Sequence, residues 1–279
     1  DATPWVAFFC STMLQMALEL STHNPVYENT ASKFFEHFVG IADAMNTLGG
    51  SGLWDEDDGF YYDRISRHDG SLSMKIRSMV GLIPLFAVEQ LSEKAIEPLA
   101  GFRKRMNWYL EHRPDLARQI TILDHRTKGE TYLLAIPSRQ RLERVLRYLF
   151  DEDEFLSPYG VRALSKYHEE HPMKLEIDGQ VSTVRYAPGE AETHLFGGNS
   201  NWRGPVWFPV NFLLIEALEK YHRFYGDSLK VEFPTGSGEG VTLQEAADRL
   251  AERLCRLFLR DEHGARPAHA DDARYREDP

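Results

Sequence analysis

Apolar residues recur every three or four positions along most of the 279-residue chain. At the start of the chain this spacing predicts a helix from about Pro4 to Glu19, with Thr3 as a suitable N-cap. A second helix is predicted after Thr30 and ends before the glycine-rich run at residues 49–52, because glycine breaks helices. The chain therefore opens with two consecutive helices.

The same spacing continues through later segments. It predicts helices over Ile83 to Leu99, Phe102 to His112, Ser138 to Asp151 and Val206 to Tyr225, and a last one that begins at Thr242. Glu245 lies three residues after Thr242, which is the spacing of a capping box. Arg141 and Arg144 fall opposite the apolar stripe of their helix, so we expect them to face solvent.

Two short stretches alternate between apolar and polar residues instead. One surrounds Asp69-Gly70 and the other surrounds Asp178-Gly179, and both dipeptides favour tight turns between strands. Long helices with two inserted hairpins indicate an all-α fold with small β-hairpin insertions. We expect one domain over residues 1–279, with a polar and frayed tail at residues 261–279.

Composition narrows the classes of function. The hydrophobic fraction of 42% is ordinary for a globular protein, and the net charge of −11 disfavours nucleic acid as a partner. No apolar run is long enough to cross a membrane, so we expect no membrane partner. Cys10 and Cys255 lie in apolar helical patterns and are predicted to be buried, reduced thiols. These features favour a cytoplasmic protein.

The segment GGNSNWRGPVWFPVN, residues 197–211, is difficult to explain by packing alone. Sugar rings stack their C–H faces on aromatic planes, and their hydroxyls need directed polar partners. The segment therefore predicts a saccharide-binding loop that uses Asn199, Asn201, Trp202, Arg203 and Trp207. The alternative is a capping loop whose tryptophans pack beneath neighbouring helices.

A second candidate is LWDEDDGFYYD, residues 53–63, where four consecutive acids lie among aromatic residues. Trp54, Asp55 and Tyr62 could form one wall of a saccharide site. Asp-rich turns also bind calcium, although this spacing departs from the EF-hand pattern. A solvated acidic turn is the third alternative. No zinc motif is visible among the eleven histidines, and His168 and His171 are predicted to lie on a solvated helix face. Apart from a calcium ion at this loop, no cofactor is predicted.

Three segments together resemble the catalytic domain of glycoside hydrolase family 63. They are LWDEDDGFYYD, KIRSMVGLIPLF at residues 75–86, and NWRGPVWFPVN at residues 201–211. The resemblance implies an (α/α)6 toroid that cleaves α-linked glucosyl or mannosyl saccharides with inversion. In such enzymes one carboxylic acid protonates the leaving oxygen, and a second carboxylate about 6.5–9.5 Å away activates water.

The resemblance also implies what is missing from this chain. A complete toroid needs twelve helices, whereas the pattern supports seven or eight, so we expect an incomplete toroid from a longer protein. The segments that carry the family's acid and base lie beyond both ends of this chain. By resemblance, the site-lining residues are Trp54, Asp55, Trp202, Arg203 and Trp207. The chain alone is then expected to be inactive.

Two other functions fit the same motifs. The chain could be a non-catalytic carbohydrate-binding α/α toroid, or a helical scaffold without a small ligand. In each saccharide-binding alternative the partner is an oligosaccharide or small glycoside. The sequence leaves the linkage and the oligomeric state open.

Overall fold

The structure is a computed structural model that describes residues 2–50, 52–67, 70–114, 120–125, 129–177, 180–187, 206–269 and 272–275. The chain divides into two compact units. The first comprises Asp1–Leu146 with Lys220–Gly226, and the second comprises Arg147–Glu219 with Asp227–Pro279. Within the described residues, no helix is both long enough and apolar enough to span a membrane.

Helices pack side by side at the start of the first unit. They are α1 (Ala2–Ser21), α2 (Tyr27–Thr47), the short α3 (Glu93–Ile96) and α4 (Ala100–His112). Ala7 and Ala17 of α1 are buried, and Phe9 of α1 meets the edge of Phe34 on α2, with ring centroids 6.0 Å apart. Phe35 on α2 meets the edge of Phe102 on α4, with ring centroids 5.8 Å apart. The predicted helices over residues 4–19, 31–48 and 102–112 are confirmed with small shifts in their ends.

The strands of the first unit are antiparallel. They are β1 (Trp54–Asp55), β2 (Phe60–Tyr61), β3 (Asp63–Arg67), β4 (Gly70–Met74), β5 (Val88–Ser92), β6 (Ile120–His125) and β7 (Gly129–Ala135). Strands β3 and β4 form the first predicted hairpin. Strands β5, β7 and β6 form a three-stranded sheet in that order, which the sequence pattern did not predict.

The predicted helix from Ile83 to Leu99 is wrong. Instead, a 3-10 turn at Ile83–Leu85 contains Pro84, and the chain then enters β5. Strand β5 is largely buried, so its apolar residues do not alternate as they would in a half-exposed strand. Its backbone pairs with β7, whose residues lie far along the chain. The apolar residues of this segment therefore have a spacing that indicates a helix, although the segment is not one.

The described part of the second unit contains short hairpins and one helix that lies wholly within it. Its elements are β8 (Leu156–Ser157), β9 (Gly160–Val161), β10 (Met173–Ile177), β11 (Gln180–Val184), β12 (Lys230–Glu232), β13 (Gly240–Thr242) and α7 (Leu243–Arg256). Two further helices contribute residues to both units, α5 (Arg139–Leu149) and α6 (Phe208–Tyr225). The hairpin β10–β11 and the capping box of Thr242 and Glu245 are confirmed.

The structure is therefore a helical fold with small antiparallel strand pairs, and no sheet among the described strands exceeds three strands. The toroidal arrangement and the single domain stay predictions. The predicted environments of Cys255 and His168 are wrong. Cys255 is exposed, because it lies on the outer face of α7, whereas Cys10 is buried as predicted. His168 is buried in a 3-10 turn, where its Nδ1 donates to the carbonyl of His171 at 2.9 Å.

Candidate functional site

The acidic loop at residues 53–63 is a tight, internally bonded turn in the first unit. Strands β1 and β2 pair Trp54 with Tyr61 and so close the loop. At its tip, the carboxylate of Asp55 accepts the backbone N–H of Asp58 at 3.0 Å. The carbonyl of Asp55 accepts the N–H of Gly59 at 2.8 Å. The loop is therefore ordered by its own polar groups before any ligand is considered.

Lys75 joins two of the segments that carry the family resemblance. Its ammonium lies 2.8 Å from the carboxylate of Asp55 and 3.3 Å from that of Asp58. Burial raises the pKa of Asp55, but the N–H of Asp58 and the ammonium of Lys75 outweigh it, so the net pKa is lowered. Asp55 is therefore held as a carboxylate whose charge is already balanced.

Trp54 lies beneath the loop, with 2% of its surface exposed. The guanidinium carbons of Arg141 and Arg144 lie 4.8 and 5.4 Å from the centre of its ring. The edge contact with Tyr61 has ring centroids 4.9 Å apart. Cations at such distances from an indole are attracted by the negative face of the ring. The prediction that Arg141 and Arg144 face solvent is wrong, because the loop covers that side of α5.

Arg144 also ties the backbone of the loop to α5. Its Nη2 donates to the carbonyls of Glu56 at 2.7 Å and Asp57 at 3.1 Å. The guanidinium crosses directly over Gly59, where an added Cβ would lie 2.2 Å from Nε of Arg144. Gly59 also has a φ of +72°, which side chains rarely adopt. The glycine is needed both for the turn and for the approach of Arg144.

A buried polar cluster centres on Asn46 at the end of α2. Its side-chain oxygen accepts from the hydroxyl of Tyr61 at 3.1 Å and from Arg141 at 2.7 Å. Its Nδ2 donates to the carbonyl of Ile136 at 2.7 Å. Burial raises the pKa of Tyr61 well above its usual value, so the phenol stays protonated and can donate. The cluster fixes the loop to the helices behind it.

The first three predicted site residues thus lie together, but with different exposure. Asp55 reaches the surface, whereas Trp54 and Tyr62 are buried and contact protein. Burial also raises the pKa of Tyr62, an effect that nearby Arg77 opposes. A substrate-binding role for all three stays a prediction.

The charges of the loop bear on the calcium alternative. Lys75 supplies the positive charge between Asp55 and Asp58, and Arg144 supplies it beside Glu56. Across the part of the chain that the structure describes, no three His, Cys, Asp or Glu side chains are grouped so that they could hold a metal ion. The contacts at this loop are therefore those of a turn held by basic side chains.

The second candidate segment lies in the second unit, and only its end is described. Asn199, Asn201, Trp202 and Arg203 lie outside the described residues. Trp207 is half-buried and immediately precedes α6. Its carbonyl accepts from the backbone N–H of Asn211 at 3.0 Å and from the side-chain Nδ2 of Asn211 at 2.9 Å. The start of α6 is thus fixed by Asn211.

Asn211 also binds the neighbouring hairpin. It is 1% exposed, its Oδ1 accepts the N–H of Val161 at 2.6 Å, and its Nδ2 donates to the carbonyl of Val161 at 3.0 Å. A Cβ at Gly160 would lie 2.9 Å from the same Oδ1, so the hairpin approaches closely. The sequence pattern did not single out Asn211, although a polar residue within an apolar helical stretch was a usable signal.

A buried carboxylate in the same unit was also missed. Glu154 is 9% exposed and accepts a hydrogen bond from the hydroxyl of Ser165. Glu154 follows α5 as the last of four consecutive acids at residues 151–154. Consecutive acids are normally expected to lie in solvent. Burial of one acid from such a run depends on tertiary packing that the local pattern does not contain.

Comparison with known proteins adds independent information. The family described as the mannosylglycerate hydrolase MGH1-like glycoside hydrolase domain matches residues 130–269. The uncharacterized protein YMR196W of Saccharomyces cerevisiae is 46% identical over 286 residues, which cover 98% of this chain and 26% of that protein. A probable mannosyl-oligosaccharide glucosidase of Schizosaccharomyces pombe is 31% identical over 78 residues, covering 28% of this chain and 7% of that protein. The chain thus spans about a quarter of the length of the Saccharomyces relative.

Proposed function

The chain belongs to the mannosylglycerate hydrolase MGH1-like family of glycoside hydrolases, and from this membership we propose that it forms part of an α-glycosidase. The membership, with the similarity to a probable mannosyl-oligosaccharide glucosidase, confirms the predicted relationship to glycoside hydrolase family 63. A saccharide substrate follows from the family. The proposal further specifies a substrate with an α-linked glucosyl or mannosyl unit and an inverting mechanism.

In this proposal the chain supplies the scaffold and the sugar contacts. Trp202 and Trp207 stack on the sugar, while Arg203 binds its hydroxyls or orients a catalytic carboxylate. The acid and base come from segments outside residues 1–279. The helices form part of an (α/α)6 toroid whose loops line the site. Inversion then requires the two carboxyl groups to stand apart, so that water fits beneath the anomeric carbon.

One observation carries the proposal. The NWRGPVW segment lies inside the range that matches the glycoside hydrolase family, and its described end is firmly anchored. Asn211 ties Trp207 to the hairpin β8–β9 through the bonds described above. A sugar-binding loop needs such support, because side chains bind well only when their own positions are fixed.

The proposal is tested by Arg203→Ala in the protein expressed from its complete open reading frame. We expect kcat/KM for an α-linked disaccharide to fall at least tenfold, or by about 1.4 kcal/mol of transition-state binding. Arg256→Ala, at an exposed position on α7, is the matched control and should leave kcat/KM unchanged.

The outcomes separate the candidate functions. An unchanged kcat/KM in Arg203→Ala would remove Arg203 from the site. If calorimetry shows that the wild-type protein binds the disaccharide without releasing sugar, the non-catalytic carbohydrate-binding function is favoured. If the wild-type protein neither binds nor cleaves the disaccharide, the remaining candidate function is a helical scaffold without a small ligand.

A cytoplasmic location is also part of the proposal. Both cysteines, Cys10 and Cys255, are free, and disulfides are uncommon in reducing compartments. Fractionation of the source cells should recover the protein with cytoplasmic markers. Recovery in a secreted or organelle fraction would contradict this part of the proposal and leave the activity untouched.

A further inference from the structure

A cavity of about 480 Å³ lies beside helix α4 in the first unit. Cavities of roughly 300–1,000 Å³ are of the size that holds a small ligand. The described residues that line it all belong to α4, and they are Gly101, Lys104, Arg105, Asn107, Trp108 and Glu111. They share no position with residues 53–63 or 197–211, so neither candidate segment accounts for this space. We call it the Trp108 cavity.

The indole of Trp108 is a large aromatic surface in this cavity, and it is 44% exposed. The imidazole of His112 lies parallel to it, with an interplanar angle of 8° and ring centroids 5.3 Å apart. Tyr109 meets the indole edge-on, also with centroids 5.3 Å apart. The two neighbouring rings therefore hold the indole in place while a large part of it stays open to solvent.

Arg105 fixes another side of the Trp108 cavity. Its Nε donates to a carboxylate oxygen of Glu36 on α2. Its guanidinium carbon lies 5.9 Å from the centre of the Trp108 ring. Non-bonded atoms in contact are about 3.5–4.0 Å apart, so this cation does not touch the centre of the ring. The indole remains accessible although a cation lies nearby.

Helix α4 is held firmly at its start. The backbone N–H groups of Gly101 and Phe102 donate to Oε2 of Glu28 on α2, at 2.6 and 3.0 Å. Such N–H groups have no partner within their own helix, and Leu99 before them provides no side-chain cap. A Cβ at Gly101 would lie 2.8 Å from the same oxygen, so the glycine permits this contact. The cavity is thus built on a fixed helix, which keeps its side chains in position.

Polar side chains of both kinds surround the indole. Lys104, Asn107 and Glu111 are exposed and lie on successive turns of α4. Lys104 and Asn107 can donate hydrogen bonds, whereas Asn107 and Glu111 can accept them. A sugar hydroxyl both donates and accepts, and a sugar ring presents its C–H face to an aromatic plane. This combination of side chains suits a saccharide.

Two other ligand classes fit the Trp108 cavity less well. The base of a nucleic acid could stack on the indole, but its phosphates would meet a chain with a net charge of −11 and the carboxylate of Glu111. An apolar ligand would take water away from Lys104 and Glu111 without replacing its hydrogen bonds, which is unfavourable. A saccharide replaces those hydrogen bonds with its own hydroxyls.

We propose that the Trp108 cavity binds a saccharide, with one sugar ring against the indole and its hydroxyls bonded to Lys104, Asn107 and Glu111. The class of ligand rests on membership of a glycoside hydrolase family, which implies a saccharide substrate. The range that matches the family, residues 130–269, does not include α4. The proposal therefore adds a binding site to the proposed function, and it does not depend on sugar release.

The test is hydroxyl-radical footprinting of the protein expressed from its complete open reading frame. Maltotriose and an α-linked mannotriose are the two probes, because the proposed function includes glucosyl and mannosyl units. We expect one of them to slow the oxidation of Trp108 at least about threefold, since a stacked sugar ring covers the indole face. Tyr167, which is 38% exposed in the second unit, is the internal control for radicals that the sugar consumes.

A matched ligand and matched variants sharpen the test. Sorbitol carries hydroxyls but has no ring, so it should not protect Trp108. The double variant Lys104→Met and Glu111→Ala should raise the probe concentration for half-maximal protection at least about tenfold, because hydrogen bonds to charged groups are the stronger ones. Lys94→Met with Glu97→Ala makes the same chemical changes at exposed positions outside the cavity and should match the wild type.

Four results would overturn the proposal. Slow oxidation of Trp108 without sugar would mean that another part of the polypeptide covers the cavity. Unchanged oxidation with both probes would mean that no saccharide binds there. Equal protection by sorbitol, or equal protection in the Lys104→Met and Glu111→Ala variant, would show that the effect is not specific. Failure of the Arg203→Ala test would leave all of these readings unaffected, because oxidation of Trp108 is measured without reference to turnover.

Discussion

Three basic side chains hold the acidic loop at residues 53–63. Lys75 balances Asp55, while Arg141 and Arg144 lie over the ring of Trp54. Arg144 also accounts for the conformation of the backbone, since it binds two carbonyls of the loop. At this scale the loop is an acidic turn that basic side chains from other elements tie in place.

Lys75→Met tests the balance of charge at Asp55. Because the folded pKa of Asp55 lies below the unfolded value, its contribution to stability is present above the unfolded pKa and is lost as the pH falls through the folded pKa. The variant should therefore lose stability at pH 7 and show a weaker loss on acidification to about pH 3. Lys75 is 47% exposed, so the change should be about 0.5 kcal/mol.

The measurement is urea unfolding of both proteins at pH 7 and pH 3. Lys33→Met, at an exposed position on α2, controls for the loss of one positive charge. If the wild type and Lys75→Met lose the same free energy of unfolding between the two pH values, Lys75 does not lower the pKa of Asp55.

Asn211→Ala tests the anchor of the second segment. The change leaves the buried N–H and carbonyl of Val161 without their partner, which costs about 1–3 kcal/mol. The free energy of unfolding in urea should fall by this amount. Asn107→Ala, on the exposed side of α4, makes the same chemical change and should cost much less. If the two variants lose the same free energy of unfolding, Asn211 does not anchor this segment.

At the scale of elements, the helices with one apolar side were predicted well. Helices α2, α4 and α7 bury one side, so their spacing alone located them to within a few residues. The capping box at Thr242 fixed the start of α7 for the same local reason. The prediction over strand β5 was wrong because this strand is buried on both faces and pairs with β7, and no local pattern reveals either property.

The contacts of the 53–63 loop were predictable only in part, for the same reason. The aromatic and acidic residues of the 53–63 loop were found from their order in the sequence. Their partners Lys75 and Arg141 come from other elements, so neither spacing nor composition could assign them. Arg141 was placed in solvent because a helix pattern divides apolar from polar residues, and it cannot tell water from a loop that binds cations.

Gly59→Ala tests how the turn accommodates α5. An alanine at a φ of +72° costs roughly 1–2 kcal/mol through backbone strain. Its Cβ would also collide with the guanidinium of Arg144, so the total loss should exceed the strain alone. Arg144→Ala in the same chain removes the collision and leaves the strain.

A double-mutant cycle in urea unfolding separates the two effects. We expect the loss from Gly59→Ala to be smaller in the Arg144→Ala background than in the wild type. The same loss in both backgrounds would mean that Arg144 moves aside freely, and that its bonds to the carbonyls contribute little.

At the scale of the whole molecule, the family match and the acidic loop lie in different parts of the sequence. The match covers residues 130–269, whereas the 53–63 loop belongs to the first unit. The Saccharomyces relative nevertheless aligns with 98% of the chain, so the alignment as a whole extends well beyond the family match, and it covers 26% of that longer protein. The function that we propose is therefore tested on the complete open reading frame as well as on residues 1–279.

If the catalytic carboxylates lie outside residues 1–279, the 279-residue chain should release no sugar from α-linked disaccharides, whereas the complete protein should. Sugar release is measured for both at equal concentration, with calorimetry to detect binding. The complete protein with Arg203→Ala serves as a control for weak turnover. Release by the 279-residue chain at the rate of the complete protein would place both carboxylates within it, and would make the buried Glu154 the first residue to replace.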